Sequence, residues 1–174
     1  MCCTFTGCKG FKYYSTNEED YTRYVEDIKD AKFHMPQLMD LGNYESIVIA
    51  RHKPDNVFIN TTDSIALFVT YSAEQFDGAM TGIQQNYEFL TETDETMQDI
   101  YAEINGYHIS VVDKEIEYEV GAGLYDYGYA FLMIGYKEEA KTIVYMFHFE
   151  HTIGSTIEDL DWFIRQGYYF PSKV

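Results

Sequence analysis

Three stretches of this chain repeat apolar residues at helical spacing, and much of the remainder alternates with period two. After Thr16-Asn17-Glu18-Glu19, the apolar residues Tyr21, Tyr24, Val25 and Ile28 recur at i, i+3, i+4 and i+7, the stripe of an amphipathic helix. Thr16 and Glu19 have the spacing of a capping box, in which each side chain serves a free backbone N–H at the helix start. A second box, Ser72 to Gln75, opens a helix with the stripe Phe76, Ala79, Met80, Ile83 and Tyr87, weakened by Gly78 and Gly82. A third, Ser155 to Glu158, predicts a last helix with Ile157, Leu160, Phe163 and Ile164 on one side and Gly167 at its end. Pro36 disfavours a helix through the segment around it.

The strands lie between. Residues 44–52 read as one, followed by a turn at Lys53-Pro54-Asp55-Asn56 and a possible short strand over 57–60. Residues 64–71 place Ile65, Leu67, Val69 and Tyr71 on one face. Farther on, Tyr107, Ile109 and Val111 alternate, then Ile116, Tyr118 and Val120. Two longer strands, about 127–136 and 141–151, are joined by the polar turn Lys137-Glu138-Glu139-Ala140. The acidic stretch 91–103 reads as a loop or a short exposed helix. Strands so often adjacent in sequence and joined by short turns imply an α+β domain over residues 16–174. It would be an antiparallel sheet of about five to six strands with helices packed mainly on one face.

Composition narrows the class. The chain has 174 residues, 46% of them hydrophobic, enough for one domain with a real core. Twenty-nine acidic against twelve basic residues give a net charge of −17. Such a field repels phosphate backbones, so nucleic acid is not an expected partner. It suits basic protein partners or divalent cations, or more often simply solubility.

All three cysteines, Cys2, Cys3 and Cys8, fall in the first eight residues. Phe5-Thr6-Gly7-Cys8 has the form of a lipobox, in which small residues precede a cysteine that takes a diacylglycerol. On that reading residues 1–7 are the remnant of a truncated signal segment. Residues 8–15 are then the lipidated Cys8 and a tether, and the membrane is a partner through Cys8. Two departures stand: Phe5 occupies the position usually held by Leu, and no Lys or Arg precedes Cys8. An ordinary cytosolic N-terminus with reduced thiols is the alternative. A zinc site has less behind it, because paired C-x-x-C spacing is absent.

The lipobox-like start, the capped helix, the segment H-M-P-Q-L-M-D-L-G-N-Y and the later S-A-E-Q-F together resemble uncharacterised cell-surface lipoproteins of Gram-positive bacteria. The resemblance implies membrane anchoring, an aromatic-rich sheet and a C-terminal helix. It implies no particular activity.

Candidate chemistry is sparse. His148 and Glu150 share one face of a strand and His151 the other, so a metal site would need further ligands; a strand end emerging into solvent is the simpler account. The acids Glu92, Asp94, Glu95, Asp99 and Glu103 lack the calcium-loop pattern. Gly121 and Gly123 lack the rest of a dinucleotide fingerprint. G-x-S-x-G and S-x-x-K are absent, so a non-enzymatic interaction module without a cofactor is expected, or else an acidic immunity or inhibitor protein that neutralises a basic toxin or enzyme. Trp162, the single tryptophan, falls opposite the apolar stripe of the last helix. It is expected either to lie under the tail 168–174 or to anchor a partner.

Overall fold

The computed structural model describes residues 11–28, 30–53, 62–95, 97–113, 129–150 and 157–167. The expected strands at 57–60 and 116–120, the cap residues Ser155 and Thr156, the cysteines and the tail 168–174 lie outside them.

Among the described residues, seven antiparallel strands form one sheet: β1 (Phe11–Ser15), β2 (Ser46–Lys53), β3 (Thr62–Thr70), β4 (Tyr101–Ile104), β5 (Tyr107–Val111), β6 (Tyr129–Lys137) and β7 (Thr142–Glu150), in the order β1-β2-β3-β7-β6-β5-β4. The sheet is thus two meanders, 1-2-3 and 4-5-6-7, joined at its centre, where Ile65 pairs with Phe147 and Phe68 with Val144. That is more strands than alternation implied. The segment expected to be a tether supplies β1, in which Tyr13 lies opposite Arg51. The acidic stretch supplies β4, whose Ala102 and Ile104 are buried between exposed neighbours.

Helices α1 (Glu18–Asp27), α2 (Ala31–His34) and α3 (Ala73–Asn86) precede or link the strands, and α4 (Leu160–Gly167) follows them. Tyr21, Val25 and Ile28 are buried, as their spacing predicts, but the cap lies one residue later than Thr16. The Asn17 side chain accepts from the Glu19 N–H at 3.0 Å. Ser72 caps α3 by accepting from the Gln75 N–H. The last helix starts at Leu160, later than its pattern suggested. Asp159 caps it, accepting from the Trp162 N–H at 2.8 Å, while Asp99 accepts from the Leu160 N–H at 3.0 Å.

The helices do not keep to one face. Helices α1, α2 and α3 pack on Ile47, Ile49, Ile65, Leu67, Val69, Tyr145 and Phe147. Leu160 and Ile164 of α4 pack on the opposite face, with Ala66, Phe68, Met133, Val144 and Met146. A sheet covered on both sides needs apolar residues at every position of its central strands, and residues 64–69 are all buried. Gly135 lets β5 and β6 approach on the α4 side. A Cβ there would stand 2.6 Å from Ile109 Cγ1 and 3.0 Å from the His108 carbonyl oxygen.

One charge is buried between the first helix and the sheet. Arg51, 5% exposed, pairs with Asp27 at 2.9 Å and Asp63 at 3.0 Å, its guanidinium 5.1 Å from the Tyr24 ring centre. Burial pulls its pKa down, and the hydrogen bonds it donates to the two carboxylates, with their charge, outweigh that and raise it. A buried guanidinium without such partners would be costly.

Candidate functional site

Pro36 ends the short helix α2, and the chain turns back along the sheet through a single 3₁₀ turn at Leu38–Leu41. Gly42, at φ +70°, completes the reversal in a backbone region that favours glycine. Buried tyrosines fasten this segment to the core. Tyr21 donates its hydroxyl to the Pro36 carbonyl at 2.6 Å, and Tyr71 donates to the Leu41 carbonyl at 3.3 Å. Between the fastened segment and α3 lies a groove of about 530 Å³, a volume typical of sites that take small ligands or single side chains.

Tyr71 and Tyr145 form the floor, 3% and 5% exposed. Gln75, Gly78, Gly82 and Asn86 of α3 line one wall, Asp40, Gly42 and Asn43 the other, and Tyr87 closes an end. Gly78 and Gly82 stand one helical turn apart, and a Cβ built on either meets nothing within 4 Å. Packing therefore does not require glycine at either position, although each costs roughly 1 kcal/mol of helix propensity against alanine.

The floor is neutral at physiological pH. Burial pushes the Tyr71 phenol up to about 12, a bond from Tyr145 partly offsetting it. Burial, with Tyr71, Tyr87 and Tyr21 nearby, raises Tyr145 further. Tyr87 is raised by burial and then by Asp40. These phenols can donate and accept hydrogen bonds but will not ionise to act as bases or nucleophiles. Among the described lining residues, Asp40 carries the one formal charge, and Ser, Cys, His, Lys and Arg are missing. The lining offers hydrogen-bonding groups and a single carboxylate.

The residues singled out by sequence lie elsewhere. Cys8 is outside the described residues. Trp162 projects from the outer side of α4 with 62% of its surface exposed, beside the Asp161–Arg165 ion pair at 2.9 Å. His148 does not emerge into solvent; it is 1% exposed. Phe163 of α4 meets its ring edge-on at 4.5 Å and Phe131 lies 5.4 Å away, because α4 covers that face. Glu150 ends the same strand. Among the described residues, no three His, Cys, Asp or Glu side chains gather to hold a metal ion. The acidic run proves partly structural, since Asp94 accepts from the Met97 N–H at 2.6 Å and Asp99 caps α4.

Comparisons with protein-family models, curated proteins and solved structures give no match. The groove residues escaped sequence reasoning because residues 36–43 and α3 are distant in the chain, and the tyrosines read as core. The available signal was the pair of glycines four apart inside a helix.

Proposed function

We propose that the chain is a non-enzymatic binding module, carried on the extracytoplasmic face of the membrane by lipidated Cys8, and that it binds through the groove between α3 and residues 36–43. The observation that carries this reading is the groove's lining, in which neutral buried phenols, amides and one carboxylate surround an open space. That set favours recognition over turnover. With β1 beginning at Phe11, an anchored Cys8 would hold the domain close to the bilayer.

Gly82→Leu tests the groove. The new side chain should fill the space while improving helix propensity, so ligand-observed NMR against a panel of short peptides and small polar molecules should lose its hits as the melting temperature rises. Hits that survive the substitution, or conversion of any panel member, count against the reading. Radiolabelled palmitate should enter the wild type and not Cys8→Ala; equal or absent labelling removes the anchor.

The net charge of −17 favours a second reading, an acidic immunity or inhibitor protein for a basic toxin or enzyme. It would show itself as stoichiometric, salt-sensitive inhibition.

A further inference from the structure

Two polar side chains of the groove lining give protons to the protein's own backbone. Tyr71 spends its hydroxyl proton on the Leu41 carbonyl, so in its bond with Tyr145 it is Tyr145 that donates. The Tyr71 proton is thus committed to the protein's own backbone, and the hydroxyl oxygens of the floor remain as acceptors beside the groove. Asn86 turns its amide nitrogen to the Gly82 carbonyl at 2.8 Å, and its amide oxygen remains an acceptor. The carboxylate of Asp40 has only acceptors to offer. Three separate parts of the lining thus present acceptors, and the one formal charge among them is negative.

Resting on the groove reading, we propose that this site receives a lysine or arginine side chain of a basic partner protein, its cationic head beside Asp40 and Tyr87. A cation on a flexible apolar stem fits three features at once. The head brings several N–H donors to a surface of acceptors, the Tyr87 ring adds cation–π attraction, and the stem runs along Leu41, Ala79 and Ile83. Phosphates and carboxylates are disfavoured beside Asp40, where they would meet a like charge. The overall charge of −17 steers a basic protein toward the domain, which a neutral ligand would not need.

The test uses the intact chain and three probes: a short glycine-serine peptide with one central lysine, the same peptide with that lysine acetylated, and spermidine as a free amine. Calorimetry should show the lysine peptide binding on the order of tenfold tighter than its acetylated form, the difference expected of a charged hydrogen bond. Salt should narrow that gap, since Asp40 is exposed. Asp40→Asn should bring the two peptides close to parity. Gly82→Leu should abolish both complexes while raising the melting temperature, which separates blocking from unfolding. Equal affinity of the two peptides for the wild type would overturn the cation inference and leave the groove standing. Binding untouched by Gly82→Leu would remove the groove itself. A lysine preference that persists in Asp40→Asn would assign it to diffuse charge, and spermidine binding tighter than the lysine peptide would replace the protein partner by a free amine.

Discussion

On the α4 side of the sheet, Ala66, Phe68, Met133, Val144 and Met146 are all 0% exposed and meet Leu160 and Ile164 across a continuous apolar layer. On the other side the same strands send up Tyr71 and Tyr145, and the layer above them opens into a groove. The first face excludes water by filling space. The second buries hydroxyls, satisfies them in a directed chain and leaves room above. The sheet thus differs by face, filled under α4 and open under α3, where the proposed binding groove lies.

The largest test of that division is a pair of truncations near the end of β3. Phe68 is fully buried with the Tyr107 ring edge-on at 5.8 Å, and Phe68→Ala should cost about 3–5 kcal/mol. Tyr71→Phe, three residues on but facing the groove, gives up its bond to the Leu41 carbonyl and the one it receives from Tyr145, both where water can enter, and should cost about 1–2 kcal/mol. Urea denaturation measures both. Similar costs would mean that the faces are equally closed.

Alkali probes the tyrosines next. The Tyr71 pKa stands at about 12 in the folded protein against about 10 in an unfolded chain. Below about pH 10 both states hold the proton and nothing changes. Above it the unfolded state releases its proton first, so stability falls as pH rises toward 12, by about 2–3 kcal/mol from Tyr71 alone. Tyr21 and Tyr145, raised by burial on the same face, act in the same sense, whereas on the α4 side Tyr107, at about 12, adds one more. Phenolate absorbance should appear together with loss of near-ultraviolet circular dichroism. Ionisation well ahead of unfolding would show the groove floor to be wetter than its burial implies.

Glycine to alanine should have opposite signs on the two sides. At Gly135 the added methyl meets Ile109, Val144 and a backbone carbonyl, and overpacking should cost about 2 kcal/mol. At Gly82 it meets nothing within 4 Å, and the helix should gain about 0.5–1 kcal/mol. Equal signs would undo the contrast between a filled face and an open one.

Much of this architecture is legible in the sequence, and the failures have physical causes. The apolar stripes of α1 and α3 and the hairpin of β6 and β7 follow from periodicity because each buries its own face. Strand β1 does not, since its Tyr13 and Tyr14 are exposed and pairing with β2, not its own pattern, holds it. Strand β4 does alternate, but over four residues inside an acidic run. The uninterrupted apolar run from Ile65 to Val69 carries the signal for cover on both faces, although the alternation of its odd-numbered residues suggests one buried face. The groove is the least legible part. It depends on Gly42 turning residues 36–43 back toward α3, and on which way the hydroxyl protons point.

The smallest expected effect concerns Trp162, which belongs to neither face. Leu160 and Ile164 turn toward the sheet, 0% exposed, and Trp162 turns away. Its large ring therefore contributes little to folding, and Trp162→Ala should change stability by less than about 0.5 kcal/mol. The intact protein should emit at long wavelength and be readily quenched by acrylamide, and deleting residues 168–174 should alter neither property. A blue, shielded emission that turns red on deletion would show the tail to be its cover. Because α4 lies across the sheet from the groove, a lysine peptide bound beside Asp40 should leave the tryptophan spectrum unchanged. A spectral shift at saturation would mean that the two faces are coupled through the central strands, and that occupancy of the open side is felt on the closed one.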